Sequence, residues 1–458
     1  MAAPPLTRSS ASVAAFASVA ALCMASTHGA GATRSVLATA GQLENERQAL
    51  KVLASPEIQS RIAALESRYL EHPLGATPAG RASARRAAES VAAAAVYSTV
   101  NHDSDRPVAF WGANPPHTWH GLVLPRAGYG IENPDNVYRH FHVDGRARYE
   151  VRGRFPGRGP AELHFVVMAS VPGDTAMQIE GSQMLSTLRS DAIHFRRDRR
   201  FTISIDADPP DGRRNHLAIA PEGRFPVHVR DLFTDWAAQS PVALEVVRIA
   251  GPDAAPIRSQ QNLVHEAARR LDSMGPFWLA FNDRFVYSLP ANDVQTPRVR
   301  DGGRGFSTIG HFSLQGGENP ADDEALIVTL DRLGAGSLGI QLADPWGVAY
   351  EYVDRTSSLN QIQSQANRDG SYTFVIAARD PGVHNWLDPE GQAAGIFVLR
   401  WQVLPPDATP AAAVRSVRLI KMSELRSALP PGVRLATPAQ RRAQRSQRAR
   451  AFNRRIGL

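Results

Sequence analysis

Phe201-Thr202-Ile203-Ser204-Ile205-Asp206 alternates apolar with polar side chains, the two-residue period of a strand with one buried face. The stretch runs on through Ala207, Asp208-Pro209, Asn215, Leu217 and Glu222-Gly223. Far down the chain Tyr372-Thr373 is followed in the same order by Ile376, Ala378, Asp380-Pro381, Asn385, Leu387 and Glu390-Gly391. A further pair of blocks stands upstream of each, Gly130-Ile131-Glu132-Asn133-Pro134 and Gly316-Gly317-Glu318-Asn319-Pro320. Two blocks in one order point to duplication of a β unit, with an insertion in the first copy. Residues 147–155 alternate likewise, with Tyr149, Val151 and Phe155 on one side and Arg148, Glu150, Arg152 and Arg154 on the other. Further strands are expected near 326–330, 372–377 and 396–403. The Asp-Gly, Pro-Gly and Asp-Pro turns between strands predict antiparallel sheet with one wet face.

Before the β regions the period is helical. Ser55-Pro56-Glu57 is a helix start, and Ile58, Ile62, Leu65 and Tyr69 then fall on one face. An alanine-rich helix is expected from about 78 to 98. Helical spacing returns at 257–274 through Val264, Ala267, Ala268, Leu271 and Met274, and Gly275-Pro276 is read as its stop. The fold class is therefore mainly β with α: two related antiparallel β-sandwich or jelly-roll domains preceded by an N-terminal helical region. The boundaries read as a signal at 1–32, a helical region at 37–100, a first β domain at 101–250, a connecting helix at 257–274, a second β domain at 276–424, and a basic C-terminal helix at 437–458.

The 458 residues carry a formal charge of +7, and Lys51 and Lys421 are the only lysines. Seven arginines (Arg441, Arg442, Arg445, Arg448, Arg450, Arg454, Arg455) and no acid lie from Thr437 onward, so the body is near neutral. That distribution argues against a basic nucleic-acid-binding face. Arg8, the small apolar run at 11–26 and Ala30-Gly31-Ala32 read as an export signal cleaved near Ala32, which gives a periplasmic or secreted protein. Cleavage there removes Cys23, the only cysteine, and with it thiol chemistry and disulfides. No later stretch reads as a transmembrane segment.

Asp344-Pro345-Trp346-Gly347, the run from Arg355 to Asn360, Asp369-Gly370-Ser371-Tyr372-Thr373 and Asp380-Pro381-Gly382 with Asn385-Trp386-Leu387-Asp388 resemble the C-terminal segment of the uncharacterised domain-of-unknown-function family numbered 1214. Asn133-Pro134-Asp135-Asn136 with Tyr138 is similar to the N-terminal segment of its longer members. The resemblance spans about 130–400. It implies a β-rich, sandwich-like fold and no activity, catalytic residue or cofactor.

Two constellations could carry chemistry. In Asn133 to Asp144, a strand would place Val137, Arg139, Phe141 and Val143 on one face and Tyr138, His140 and His142 on the other, with Asp144-Gly145 as a hairpin turn. Paired histidines at i, i+2 can share a metal or act as acid and base, with Asp135, His117 or His120 completing a site. The same pattern also suits the solvent face of a half-buried strand. The loop from Asp380 to Gly391 presents Asn385, Trp386 and Asp388, and with Arg355 and Asn360 it could bind a sugar or other polyol. Its turn residues equally suit a purely structural loop.

Gly334-Ala335-Gly336-Ser337-Leu338-Gly339 matches a dinucleotide fingerprint, but a strand follows, so it reads as a glycine-rich hairpin loop. Asp322-Asp323-Glu324 reads as a solvated turn rather than a calcium site. In the tail, Ala449, Phe452 and Ile456 form an apolar stripe. The helix could dock by it, or could meet an anionic envelope surface through its arginines. The leading reading is an exported protein that binds a small molecule or carbohydrate between the two copies. One alternative is a cofactor-independent or metal-assisted lyase or hydrolase using Asp135, Tyr138, His140 and His142; another is a structural envelope protein. No cofactor is named by the sequence. Truncation before Thr437 is expected to remove polyanion binding and to leave ligand binding intact.

Overall fold

Helices α1 (Ala40–Leu53), α2 (Pro56–Glu71) and α3 (Pro78–Val100) open the described part of the chain, which in this computed structural model comprises residues 35–174, 183–300, 304–316 and 323–458. The expected export signal lies outside the described residues. Each helix start is capped by a hydroxyl: Thr39 accepts from Gln42 N, Ser55 from Ile58 N and Thr77 from Gly80 N, and proline opens α2 and α3. The face of Ile58, Ile62, Leu65 and Tyr69 is buried, as its spacing predicts. Every residue of α3 from Ser90 to Val100 is buried, because alanines let the neighbouring helices close around it.

The first β half contains β1 (Phe110–Ala113), the small hairpin β2 (His117–Trp119) and β3 (Leu122–Leu124), β4 (Asn136–Asp144), β5 (Arg148–Arg154), β6 (Glu162–Met168), β7 (Met184–Arg189), β8 (Arg200–Asp206), β9 (His216–Ala218), β10 (Arg224–Leu232) and β11 (Ala243–Ala250). They form one sheet of order β1-β4-β10-β6-β7 and another of order β11-β5-β8-β9. After helix α4 (Gln260–Asn282) come β12 (Arg298–Arg300), β13 (Gly305–Ser313), β14 (Glu324–Leu330), β15 (Ser337–Ala343), β16 (Ser358–Asn360), β17 (Tyr372–Ile376), β18 (Trp386–Leu387), β19 (Ala394–Gln402) and β20 (Val414–Lys421). These give sheets of order β12-β13-β19-β15-β16 and β18-β17-β14-β20, the same orders strand for strand. Pairing is antiparallel in all four sheets except for β8 with β9 and β17 with β18, each at the matching place. Within each half the two sheets share a core. Phe141, Phe165 and Val229 meet Tyr149, Ile203 and Leu217 in the first, and Phe312, Ile340 and Leu399 meet Leu326, Val328 and Phe374 in the second.

Several expectations need correction. Asp144-Gly145 is not a hairpin turn, because β4 and β5 belong to different sheets. Alternation fixes which face of a strand is apolar, and facing strands of two sheets satisfy it as well as neighbours in one. The glycine-rich loop before Ser337 crosses between sheets for the same reason, so it is no hairpin either. The upstream repeat blocks do not correspond: Gly130 precedes β4, whereas Gly316 follows β13, the strand at the matching place, and residues 317–320 lie outside the described residues. Helix α4 does not stop at Gly275-Pro276 but runs on to Asn282. Pro276 costs one helical hydrogen bond, and burial of Phe277 and Trp278 beyond it offsets that loss.

The short helix α5 (Leu425–Ala428) leads to α6 (Pro438–Ile456), which is docked. Phe452 and Ile456 enter a cluster with Leu37, Trp111, Phe233 and Trp236. Among the described residues no helix is long and apolar enough to cross a membrane.

Candidate ligand cavity

The residues that alternate outward from the two five-stranded sheets face each other across a cavity of about 410 Å³. Register builds its walls. On the first sheet His140 stands opposite His228 and Tyr138 opposite Arg230. On the second, Ile309 stands opposite Val398, Ser307 opposite Arg400 and Gly305 opposite Gln402. Tyr129, Trp278 and Phe281 complete the lining with an aromatic surface. Two glycines make room for large rings. A Cβ on Gly112 would lie 2.4 Å from His140 Cε1, and one on Gly130, whose φ is +59°, would lie 2.6 Å from the Trp278 ring.

Burial sets the electrostatics. It pulls His140 down to about 3, helped by His228 and Arg270, and His228 down to about 4, so both rings are neutral at pH 7. Glu132 is buried in the lining, and its pKa is pushed up to about 7 by desolvation against the lowering effect of Arg126. Several lining atoms are buried without a hydrogen-bond partner: Asn136 Oδ1, His140 Nε2, Arg230 Nε and Trp278 Nε1. Unmet buried polar atoms are costly, and here they gather around one space.

Of the first predicted constellation, Tyr138 and His140 line the cavity, while His142 and Asp135 do not. The expected solvent face is wrong for this strand. His142 is buried against the His102 ring, 4.2 Å between centroids, because the ends of α3 and α4 and the second β half cover that face. Asp135 is buried, accepting hydrogen bonds from Trp236 Nε1 and Asn360 Nδ2, each at 2.8 Å. His117 packs between Trp111 and Trp119, and His120 turns at positive φ beside the β2–β3 hairpin. Among the described residues no group of three or more His, Cys, Asp or Glu could hold a metal.

The second constellation is fold, not platform. Asn385 Nδ2 donates to the Thr373 and Gln365 carbonyls, and Trp386 is buried in β18 with Nε1 donating to the Ala377 carbonyl at 2.9 Å. Arg355 pairs with the buried Asp388 at 2.8 Å, and Asn360 is spent on Asp135. Turn-forming residues at these positions satisfy backbone groups, and the place of Trp386 at the start of β18 is held by His216 at the start of β9. Asp323 pairs with Arg379 and Glu324 with Lys421, so the described acids of the 322–324 run hold basic side chains; Asp322 lies outside the described residues.

Glu132, His228, Arg230, Trp278 and Arg400 were not legible as site residues. The one signal was the polar phase of Val227-His228-Val229-Arg230, a strand whose non-core face carries a histidine and an arginine.

No family model matches this chain, and no curated protein matches it. Among solved structures it is similar to an uncharacterised protein of Burkholderia cenocepacia, at 23% identity and a TM-score of 0.66 over 82% of this chain and 99% of that one. It is also similar to a protein of Vibrio parahaemolyticus at 10% identity, with a TM-score of 0.38 over 64% of this chain and 90% of that one. The first likeness shows the fold alone.

Proposed function

We propose that this protein binds a small organic molecule in the cavity between its two β halves. The observation that carries the reading is the concentration of unpartnered buried polar atoms beside the aromatic surface of Tyr129, Trp278 and Phe281. A ligand would satisfy those atoms and cover the rings, the combination by which small-molecule sites achieve both affinity and orientation. The volume lies within the range of such sites. Catalysis by the Asp135, Tyr138, His140 and His142 set is the weaker reading, since Asp135 and His142 are committed elsewhere.

Each β half is a sandwich of jelly-roll type, and the two arose by duplication; identical strand orders and the shared cores support this. The chain is a relative of the domain-of-unknown-function family numbered 1214. In support, the residues that carry the resemblance do fold-determining work: buried Asp344 accepts from the backbone of Trp346 and Val348, and Asn360 bonds Asp135. Residues 1–32 direct export. An anionic envelope surface would meet only the outer face of α6, where Arg442, Arg450 and Arg454 are exposed.

The test is to fill the space. Ser307→Trp on β13 should abolish ligand binding while circular dichroism stays native. Wild-type protein should show a rise in Tm in a thermal-shift screen of aromatic acids, sugars, steroids and terpenoids, because a ligand at a hundredfold its Kd adds about 2.7 kcal/mol. No stabilising compound across the panel, or equal binding by Ser307→Trp, would defeat the reading.

A further inference from the structure

Resting on the cavity reading above, we infer that the ligand is an anion: a planar ring bearing a carboxylate, with the carboxylate held by Arg230 and Arg400 and the ring by the aromatic end of the cavity.

The two arginines occupy matching places. Arg230 lies on β10, the central strand of the first five-stranded sheet, and Arg400 on β19, the central strand of the second. Both point into the cavity from opposite walls. Burial lowers the pKa of Arg400, against the raising effect of Tyr138, Asp135 and Glu132, and Arg230 adds to the fall. Two guanidinium groups lining one partly desolvated space favour an anion between them.

Among the described residues neither guanidinium forms an ion pair, and the acids that support Arg400 from a distance are Asp135 and Glu132. The acids nearby are occupied: Asp231 holds Arg139 at 2.6 Å on the far side of the sheet, and Asp135 is bonded to Trp236 and Asn360 and faced by Arg448 and Arg455. Glu132 is raised to about 7 by desolvation, against Arg126 and the backbone N–H groups of Glu132 and Ala349. Arg400 spends two donors, one on the Ile131 carbonyl at 2.6 Å and one on Gln341. The Arg230 side chain forms no hydrogen bond among the described residues; its guanidinium carbon lies 6.0 Å from the Tyr138 ring centroid, and its Nε is buried without a partner. An unspent planar guanidinium is suited to a bidentate carboxylate. The neutral His140 and His228 beside it add a donor or acceptor without adding charge. Tyr129, Trp278 and Phe281, with Phe306, supply faces for a flat ring.

Naphthalene-2-carboxylate and the uncharged naphthalene-2-carboxamide separate charge from shape. By isothermal titration the carboxylate should bind at least about tenfold more tightly, and Arg230→Gln should reduce it to the level of the amide without changing the amide. Arg230→Lys keeps the charge and should retain part of the preference. Both variants should keep the native circular dichroism, since Arg230 holds nothing else in place. Equal affinity for the two compounds, an unchanged preference in Arg230→Gln, or complete loss in both variants would overturn the inference. An amide that binds as well as the acid, and is excluded by Ser307→Trp, would sink the anion and leave the cavity reading standing. Failure of both compounds would overturn this ligand class, while the cavity reading is judged by the wider thermal-shift panel.

Discussion

Four histidines, His102, His140, His142 and His228, line up from the inner end of α3 to the cavity, with neighbouring ring centroids 4.2 to 6.5 Å apart. Burial holds all four far below their ordinary value of 6.5: His102 and His228 at about 4, His140 at about 3, and His142 well below 6.5. In the unfolded chain each takes a proton near pH 6.5, so the native state binds fewer protons below that point. Their contribution is therefore complete above pH 6.5 and is lost as the pH falls from there towards 4. Glu132 and Asp344, raised to about 7 and about 6 by desolvation, act with the opposite sign and gain stability as the pH falls towards their ordinary values. Burial also lowers His117, His164 and His384 and raises Glu46, Asp135, Asp174 and Asp231, so among the described residues seven rings stand against six carboxyls, at about 1.4 kcal/mol per pKa unit. The Tm should drop between pH 6.5 and 4.5, and His228→Asn should show a smaller drop. A variant as acid-sensitive as the wild type would mean that His228 does not titrate on unfolding. The sequence marked His140 and His142 as a pair worth attention. It could not show that His102, on another element, completes the row.

At the scale of the element, α6 turns an apparent charge tail into a clamp. Arg441, Arg448 and Arg455 recur every seventh residue and are buried with Phe452 and Ile456, while the exposed positions between them keep the helix wet. Arg448 lies 4.2 Å and Arg455 4.3 Å over the Trp236 ring, and Arg455 also donates to the Pro134 carbonyl at 3.1 Å. Arg441 pairs with Asp380 at 2.9 Å. Desolvation brings Arg448 down to about 9 and Arg455 to about 10, and the buried Asp135 is the acid that opposes that fall for both. Removing one partner of such a buried set costs about 3–5 kcal/mol. Arg448→Ala should lower the Tm markedly, and an unchanged melting curve would contradict the clamp. Truncation before Thr437 uncovers Trp236, Phe233 and Asp135 together, so ligand binding should be lost with it, contrary to the expectation that it survives. The seven-residue spacing was present in the sequence, but only the docked surface tells buried arginines from wetted ones.

At the scale of the molecule, the segment from Ile131 to Asn136 joins the halves. Ile131 N donates to the Gly347 carbonyl at 2.9 Å, Gln341 Nε2 to the Glu132 carbonyl at 2.6 Å, Asn133 Nδ2 to Gln402 at 3.2 Å, and Asn360 Nδ2 to Asp135 at 2.8 Å. These bonds fix the distance between the cavity walls. Asn360→Leu would leave a buried carboxylate short of a donor, a loss of about 1–3 kcal/mol. It should lower the Tm and weaken ligand binding together. Weakened stability with undiminished binding would show that the walls hold their spacing without this bond. The family-like residues Asp344, Asn360 and Asn385 were legible as a pattern, and their work proves to be joining and capping.

Local order fixed by neighbours in the chain was readable from the residues: the capped start of α2, the alternating strands, the two β regions and the apolar stripe of α6. These depend on backbone geometry and side-chain period, which a single sequence carries. What tertiary structure alone decided is which sheet each strand joins, how far α4 runs past Pro276, and which polar faces meet each other rather than water. Alternation is indifferent to the identity of a strand's partner, and a histidine or arginine at an outward position has the same local pattern whether it meets solvent or an opposing sheet. The cavity exists only because the outward faces of the two five-stranded sheets were brought together, and its arginines come from strands 170 residues apart.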